Sequence, residues 1–260
     1  MDLAADLAFA RSLADTADAI SLARFRAADL HVDVKADRTH VTDADQAVEA
    51  ALRERIAAER PDDTFLGEES TAAAGTTARS SGHRQWVIDP IDGTANYLRG
   101  VPVWATLIAL AVDGVPRVGV VSAPAMGKRW WGATGLGASS LEGPLRVSGV
   151  AELADASVSY QSLQDWDEAG RLDGLLRLSR SVWRTRAYGE AWAYMMVAEG
   201  TLDVAGEGDL KPWDIAAIVP VVEEAGGRFT SLDGEPGPWH GTALATNGLL
   251  HDAVVRTIRG

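Results

Sequence analysis

Trp86-Val87-Ile88-Asp89-Pro90-Ile91-Asp92-Gly93-Thr94 is the stretch from which the rest of this chain is read. Its apolar start, rich in β-forming residues, predicts a buried strand. Its end presents two aspartates three positions apart, ahead of a Gly-Thr pair that can open a helix. Such a junction makes a place for a divalent metal and a phosphate together, because magnesium favours oxygen ligands and is usually held by one or two carboxylates plus substrate phosphate oxygens. Pro90 lacks an N–H and fixes its own φ, which suits a tight non-helical turn whose Ile91 carbonyl can point inward as a further hard ligand. Gly93 allows close backbone approach, and the first N–H groups of the next helix face an anion. Taken alone, Asp-Pro-x-Asp-Gly is also ordinary turn chemistry.

Other acidic junctions weigh against the plain turn. Thr64-Phe65-Leu66-Gly67-Glu68-Glu69 reads as a short strand running into a glycine and two carboxylates. Lys211-Pro212-Trp213-Asp214-Ile215-Ala216-Ala217 reads as a helix start, with Pro212 tolerated in the first turn and Asp214 near the positive end of the dipole. The segment from Lys35 through Asp37, Arg38, Val41 and Thr42 to Asp45 ends at a helix with an acidic first turn.

Composition narrows the classes. The chain has 260 residues, of which 47% are hydrophobic and 23% charged, enough for a sizeable core in one or two domains. A net charge of −13 argues against nucleic acid or an anionic membrane as partner, since a phosphate-backbone binder needs clustered Lys and Arg. The absence of cysteine excludes disulfides, a thiol nucleophile and thiolate zinc ligation, and the five histidines form no pair at metal-ligand spacing. The acidic start Met1-Asp2-Leu3-Ala4-Ala5-Asp6 is unlike a signal peptide, and no apolar run approaches the ~18 residues of a membrane span. The expected location is cytoplasmic.

Hydrophobic spacing predicts a long amphipathic helix from Leu3 to about Ala28, an extended piece over 31–34, and a helix from about Asp45 to Glu59 closed by Pro61. Residues 70–82, rich in Ala, Gly, Ser and Thr, read as a mobile surface loop. Two β-rich runs between Trp104 and Val121 flank Asp113-Gly114, a hairpin signal, and Trp130-Trp131 belong to a further strand. Strands over 156–160 and 181–186 then enclose a helix over 169–178. A helix over 189–199, a strand over 202–205, a helix over 213–225 and a last strand over 243–246 follow. This alternation predicts an α/β (α+β) fold with helices on the faces of a sheet. No linker separates the halves, so residues 1–260 read as one unit with a first lobe to about 145 and a second from about 146.

Lys35 with Val41-Thr42 and Asp45, then Gly67-Glu68-Glu69, Asp89 to Thr94, Trp213 to Ala217 and Glu224-Ala225-Gly226-Gly227 appear in the order that marks the inositol monophosphatase family. The chain resembles that family over nearly its whole length, and the tail Ala245 to His251 also fits. Within it, Val101 to Ile108 and Arg186 to Glu190 are most similar to the actinobacterial-type histidinol-phosphatases. The resemblance implies a layered αβαβα sugar-phosphatase fold with the metal site between two lobes. It implies magnesium-dependent hydrolysis of a small phosphorylated substrate, histidinol phosphate first and inositol 1-phosphate or another phosphomonoester as the alternative, and a homodimer. Carried over residue by residue, Glu68, Asp89, the Ile91 carbonyl, Asp92 and Asp214 are expected to hold two or three Mg2+ ions, with Asp89 bridging. Thr94, held by Asp45, is expected to orient and deprotonate the attacking water, with Glu69 behind them. Gly93, Thr94, Trp104, Arg186, Glu190 and Glu207 are the expected substrate contacts.

Blander readings stand beside some of these. Most of the nine tryptophans read as packing, with Trp104 as the exception. Arg184 and Arg186 alternate on a strand and suit surface charge as well as a substrate contact. Histidinol phosphate carries an ammonium and an imidazole beside its ester, for which Glu190, Glu207 and Trp104 would serve. A glutamate stands at Glu190 where an aspartate is expected, and Ala95 and Tyr97 follow Thr94 where some of those enzymes carry Lys and Phe. A catalytically silent relative would have lost Asp45, Thr94 or a ligand, and all are present.

Overall fold

The computed structural model describes residues 1–35, 39–74 and 83–260, with backbone only at 72–74. The first helix, α1 (Leu3–Arg24), opens on Asp2, whose carboxylate accepts the Ala5 N–H at 3.0 Å, and buries Phe9, Ala10, Leu13, Ala14 and Ala17 on one face. It ends four residues short of the expected boundary. Phe25 turns out of helical geometry to pack its ring 5.3 Å from both Tyr97 and Trp104, so tertiary packing overrides the helical pattern. The ribbon β1 (Val32–Val34) and β2 (His40–Thr42) leads into α2 (Asp43–Glu59). That helix starts at Asp43 because the Thr42 hydroxyl caps it while the Asp45 carboxylate accepts the Thr42 N–H in return.

A seven-stranded sheet follows. Strand β3 (Thr64–Gly67) runs into α3 (Glu68–Ala74), and β4 (Arg84–Asp92) into α4 (Thr94–Leu98). Strands β5 (Ala105–Val112), β6 (Val115–Ala123), β7 (Lys128–Ala133), β8 (Gly137–Ser140) and β9 (Gly143–Pro144) complete it in sequence order. Only β3 and β4 are parallel. Asp113 and Gly114 take φ of +51° and +77°, the left-handed pair that a two-residue hairpin requires. The loop expected over 70–82 is helical as far as Ala74, and 75–82 lies outside the described residues.

The second half holds β10 (Ser157–Ser159), α5 (Leu163–Glu168), α6 (Leu172–Ser181), β11 (Arg184–Arg186), α7 (Glu190–Ala198) and β12 (Val204–Glu207). It closes with α8 (Pro212–Ile215), α9 (Ile218–Glu224), β13 (Arg228–Thr230), β14 (Ala243–Thr246) and α10 (His251–Arg259). The strands form a mixed sheet in the order β11-β10-β12-β14-β13. Helix α6 extends to Ser181 and shortens the strand expected over 181–186, while β12 lies two residues beyond its expected place. The helix expected over 213–225 is two helices, because Pro220 has no N–H to donate to the Ala216 carbonyl.

Layering follows from the buried faces. Helices α1 and α2 cover one face of the large sheet with Leu13, Val48, Leu52 and Ile56 against Trp86, Ile88, Ile108 and Val120. Its other face shares a core with α7, α9 and the small sheet, through Leu107, Val121, Tyr194, Met195, Val221, Phe229 and Ala245. Helices α6 and α10 close the far side with Leu175, Leu178, Val254 and Ile258. The order of layers is therefore αβαβα. Gly119 on β6 permits a close approach to the middle layer, since a Cβ there would overlap the Ala217 carbonyl oxygen. Among the described residues no helix is long and apolar enough to cross a membrane.

Candidate active site

Strand β4 stays extended through Asp92, so the tight turn expected at Pro90 is a bulge within the strand. Asp89 pairs with Leu107 and Asp92 with Ala105, which sets three steps of β4 against two of β5. The Thr106 hydroxyl donates to the Pro90 carbonyl at 2.8 Å and holds the bulge. Gly93 then takes φ of +85° at the start of α4, where a Cβ would lie 3.0 Å from Glu190 Cγ and 3.2 Å from the Val103 oxygen. A side chain at 93 would therefore be both strained and crowded.

The bulge, α3, α7, β12 and α8 enclose a cavity of about 240 Å³. Glu68, Asp89, Asp92, Glu190, Glu207, Asp209 and Asp214 line it, with Ile91, Gly93, Thr94, Ala191 and Tyr194 between them. Burial raises Asp89, Asp92, Glu190, Glu207 and Asp214 above the usual carboxyl range, and repulsion from neighbouring carboxylates adds to it. Asp89 is held well up by burial, then by Glu68, Asp92 and Asp214, and Asp92 by burial and then Glu190. Burial lifts Asp214 to about 7 despite the Lys211 N–H donating to it at 2.6 Å. It lifts Glu207 to about 8, with Glu190 adding and the Tyr194 hydroxyl, 3.1 Å away, opposing.

Near the cavity, Lys35 Nζ lies 2.7 Å from Glu68 and 2.8 Å from Glu69, and Glu69 rises to about 7 through burial and then Glu68. The Glu49 carboxylate accepts the N–H groups of Glu69 and Ser70 at 2.7 and 2.8 Å, which fixes the start of α3. Thr94 Oγ1 stands 3.0 Å from both Asp45 Oδ1 and the Ile91 carbonyl. Asp45 rises to about 6, chiefly through burial, against the hydrogen bonds from Thr42 and Thr94.

The donor set fits a hard divalent cation. Asp89 is 2% exposed and its Oδ1 has no hydrogen-bond partner, in a wall of carboxylates where only a cation answers the charge. The Ile91 carbonyl keeps a lone pair beside the one facing Thr94. Among the described residues, no three His, Cys, Asp or Glu side chains stand close enough to hold an ion as they are. Carboxylates repel at short range, so a ligand set of this kind closes only around its cation.

Two expected substrate contacts are not in the cavity. Trp104 is 1% exposed, edge-on to Tyr97 at 4.9 Å, and belongs to a small core with Ala44 and Ile91 behind the site. A large aromatic next to an active-site strand is recruited into the packing that supports it. Arg186 lies exposed at the end of the edge strand β11 and donates to the Thr185 carbonyl. Sequence reading missed Tyr194, Asp209 and Glu49. Tyr194 follows Glu190 at i+4 on α7, a spacing that could have placed it on the same face. Asp209 and Glu49 carried no local signal.

A layered α/β fold with an acidic cleft suited to hard cations and phosphate defines a phosphatase. The inositol monophosphatase family model matches residues 2–259, and the chain belongs to that family. A histidinol-phosphatase of Mycobacterium tuberculosis is 53% identical over 255 residues, covering 96% of both chains. One of Streptomyces coelicolor is 54% identical over 259 residues, covering 96% of this chain and 95% of its own. Among solved structures, an inositol monophosphatase from Zymomonas mobilis superposes with a TM-score of 0.86 at 29% identity over 100% of both chains. That from Anabaena gives 0.84 at 32% identity over 100% of this chain and 97% of its own.

Proposed function

We propose that this chain is a magnesium-dependent histidinol-phosphatase that hydrolyses L-histidinol phosphate to L-histidinol and inorganic phosphate, a step of histidine biosynthesis. The observation that carries the reading is the full-length identity to two curated histidinol-phosphatases, above 50% in each case. The cavity supports it. Phosphate needs neutralising cations, and Glu68, Asp89, the Ile91 carbonyl, Asp92 and Asp214 would hold two or three Mg2+ ions. Magnesium bound there supplies positive charge for the phosphoryl oxygens and lowers the pKa of the attacking water.

The chain's own residues do the rest. The Thr94 hydroxyl donates to Asp45, so its oxygen turns a lone pair toward the water and accepts a water proton while passing its own to Asp45. The water oxygen bonds to phosphorus as the ester P–O bond opposite it breaks, and the departing histidinol oxygen takes up a proton from solvent. Glu69, paired with Lys35, keeps Glu68 in place from behind. The Ala191 N–H holds Asp92 at 2.8 Å, and the Gly93 backbone gives the phosphate room at the start of α4. Beyond the ester, Glu190 and Glu207 offer negative charge to the ammonium and imidazole of histidinol.

The same reading takes residues 1–145 and 146–260 as lobes of one unit facing the cavity, and the protein as a cytoplasmic homodimer. Edge strand β11 and the adjoining Trp183, 66% exposed, support a self-association surface. The direct test is release of inorganic phosphate from L-histidinol phosphate by the purified chain. Turnover with Mg2+ that disappears in excess chelator and returns on adding magnesium is expected. Undiminished turnover in chelator, with no metal retained, would refute the mechanism.

A further inference from the structure

Glu190 stands in the cavity on a strained piece of backbone. Gly189, Glu190 and Gln161 take φ of +88°, +52° and +60° where the loop after β10 meets the start of α7. Left-handed geometry at side-chain-bearing residues persists only where the surroundings over-determine it, and such residues gather at functional sites. The surroundings here are two amides. Gln161 holds Glu190 at two points, its Oε1 accepting the Glu190 N–H at 3.0 Å and its Nε2 donating to Glu190 Oε2 at 3.2 Å. Asn96 on α4 donates to Glu190 Oε1 at 3.0 Å while also reaching the Val103 carbonyl at 2.8 Å.

The chemistry of this clamp is selective. Each Glu190 oxygen receives one amide donor and keeps a lone pair. The donors are neutral, and among the described residues no Lys, Arg or His forms an ion pair with the Glu190 carboxylate. A carboxylate paired with arginine has its charge cancelled, whereas one fixed by amides presents that charge, aimed, to whatever enters the cavity. Ordering a rotamer-rich glutamate in advance also removes that entropy loss from the binding step.

We infer that Gln161 is a positioning residue for substrate selection, which aims the Glu190 carboxylate at the cationic part of the substrate. The inference rests on the histidinol phosphate reading of the cavity. It assigns Gln161 no contact with the substrate and no part in the hydrolysis.

The test is a double-mutant cycle of Gln161→Met and Glu190→Gln, reading kcat/KM for L-histidinol phosphate and for glycerol 2-phosphate, which lacks a cationic group. Gln161→Met is expected to lower the ratio of the two constants about five- to thirtyfold, mostly through KM for histidinol phosphate. In the Glu190→Gln background the same change is expected to move the ratio by less than about twofold, because no aimed charge remains to lose. Equal losses on both substrates would overturn the inference, and so would additive losses, which would mean that Gln161 acts on the substrate itself. Should Gln161→Met fail to fold, Gln161→Asn, which retracts the amide by one carbon, carries the same comparison. A wild-type enzyme that prefers glycerol 2-phosphate would remove the histidinol phosphate reading. In that case a crystal structure of the Gln161 variant decides the positioning role, which fails if the Glu190 carboxylate has not moved.

Discussion

Asp89 concentrates the electrostatics of the site. It is buried, its Oδ1 is unpartnered, and Glu68, Asp92 and Asp214 all push its pKa upward. A buried carboxylate in that position suits a cation beside it. Replacing it by asparagine removes the charge at nearly constant volume, so Asp89→Asn is expected to abolish Mg2+ binding by calorimetry together with turnover. Thr94 is a different kind of residue, held 3.0 Å from Asp45 and outside the proposed ligand set. Thr94→Ala is therefore expected to keep Mg2+ affinity and to lose about 10²–10⁴ in kcat, the usual range for a proton-transfer group. A Thr94→Ala enzyme within about twofold of wild-type kcat would remove the residue from the proton path. That both residues line the cavity was legible because they sit in one short motif with its own turn chemistry. Trp104 and Arg186 were misplaced because a motif gives a residue's neighbours along the chain but not the direction of its side chain.

Elements deliver these residues through close packing of the layers. Gly119 on β6 sits under the Ala217 carbonyl between α8 and α9, with Pro220 also near. An alanine there must push α9 off the large sheet, and α8, which carries Asp214, moves with it. Overpacking of this kind costs about 1–3 kcal/mol. Gly119→Ala is expected to lower the melting temperature by roughly 2–10 °C in calorimetry and to weaken Mg2+ affinity as well. An unchanged melting temperature would show that the layers have slack. Strands with clear turn punctuation, such as β5 and β6 around Asp113-Gly114, were legible to within a residue or two. The ends of α1 and α6 and the break between α8 and α9 were less so. Tertiary contacts and one proline's missing N–H set them, where the helical pattern ran past the ends of α1 and α8 and stopped short of the end of α6.

For the molecule as a whole, the net charge of −13 includes a cluster whose folded state resists ionisation. Asp214 and Glu69 reach about 7 and Glu207 about 8, against unfolded values near 4. A carboxyl raised on folding favours the folded state at low pH and ceases to do so as pH rises through its folded value. His251, between the hydroxyls of Thr230 and Thr246, works the other way. Burial lowers it to about 4, so its contribution is complete above the unfolded value near 6.5 and is lost as pH falls below that. Between pH 6.5 and 8 the His251 contribution is constant, while that of the raised carboxyls is being lost. In chelator the melting temperature is expected to fall across that window, and saturating Mg2+ to raise it more at pH 8 than at pH 6.5. A magnesium effect independent of pH would contradict the cluster's role. The family and its chemistry were legible across the whole chain because acidic junctions recur in a fixed order, whereas the amide clamp on Glu190 joins residues 96, 161 and 190 that only the fold brings together. The central claim is the substrate, and its most direct test is kcat/KM for L-histidinol phosphate, inositol 1-phosphate and a nucleoside monophosphate under saturating Mg2+. Histidinol phosphate is expected to lead by at least about tenfold, the worth of one charge-assisted contact. Equal constants, or a preference for inositol 1-phosphate, would contradict the account.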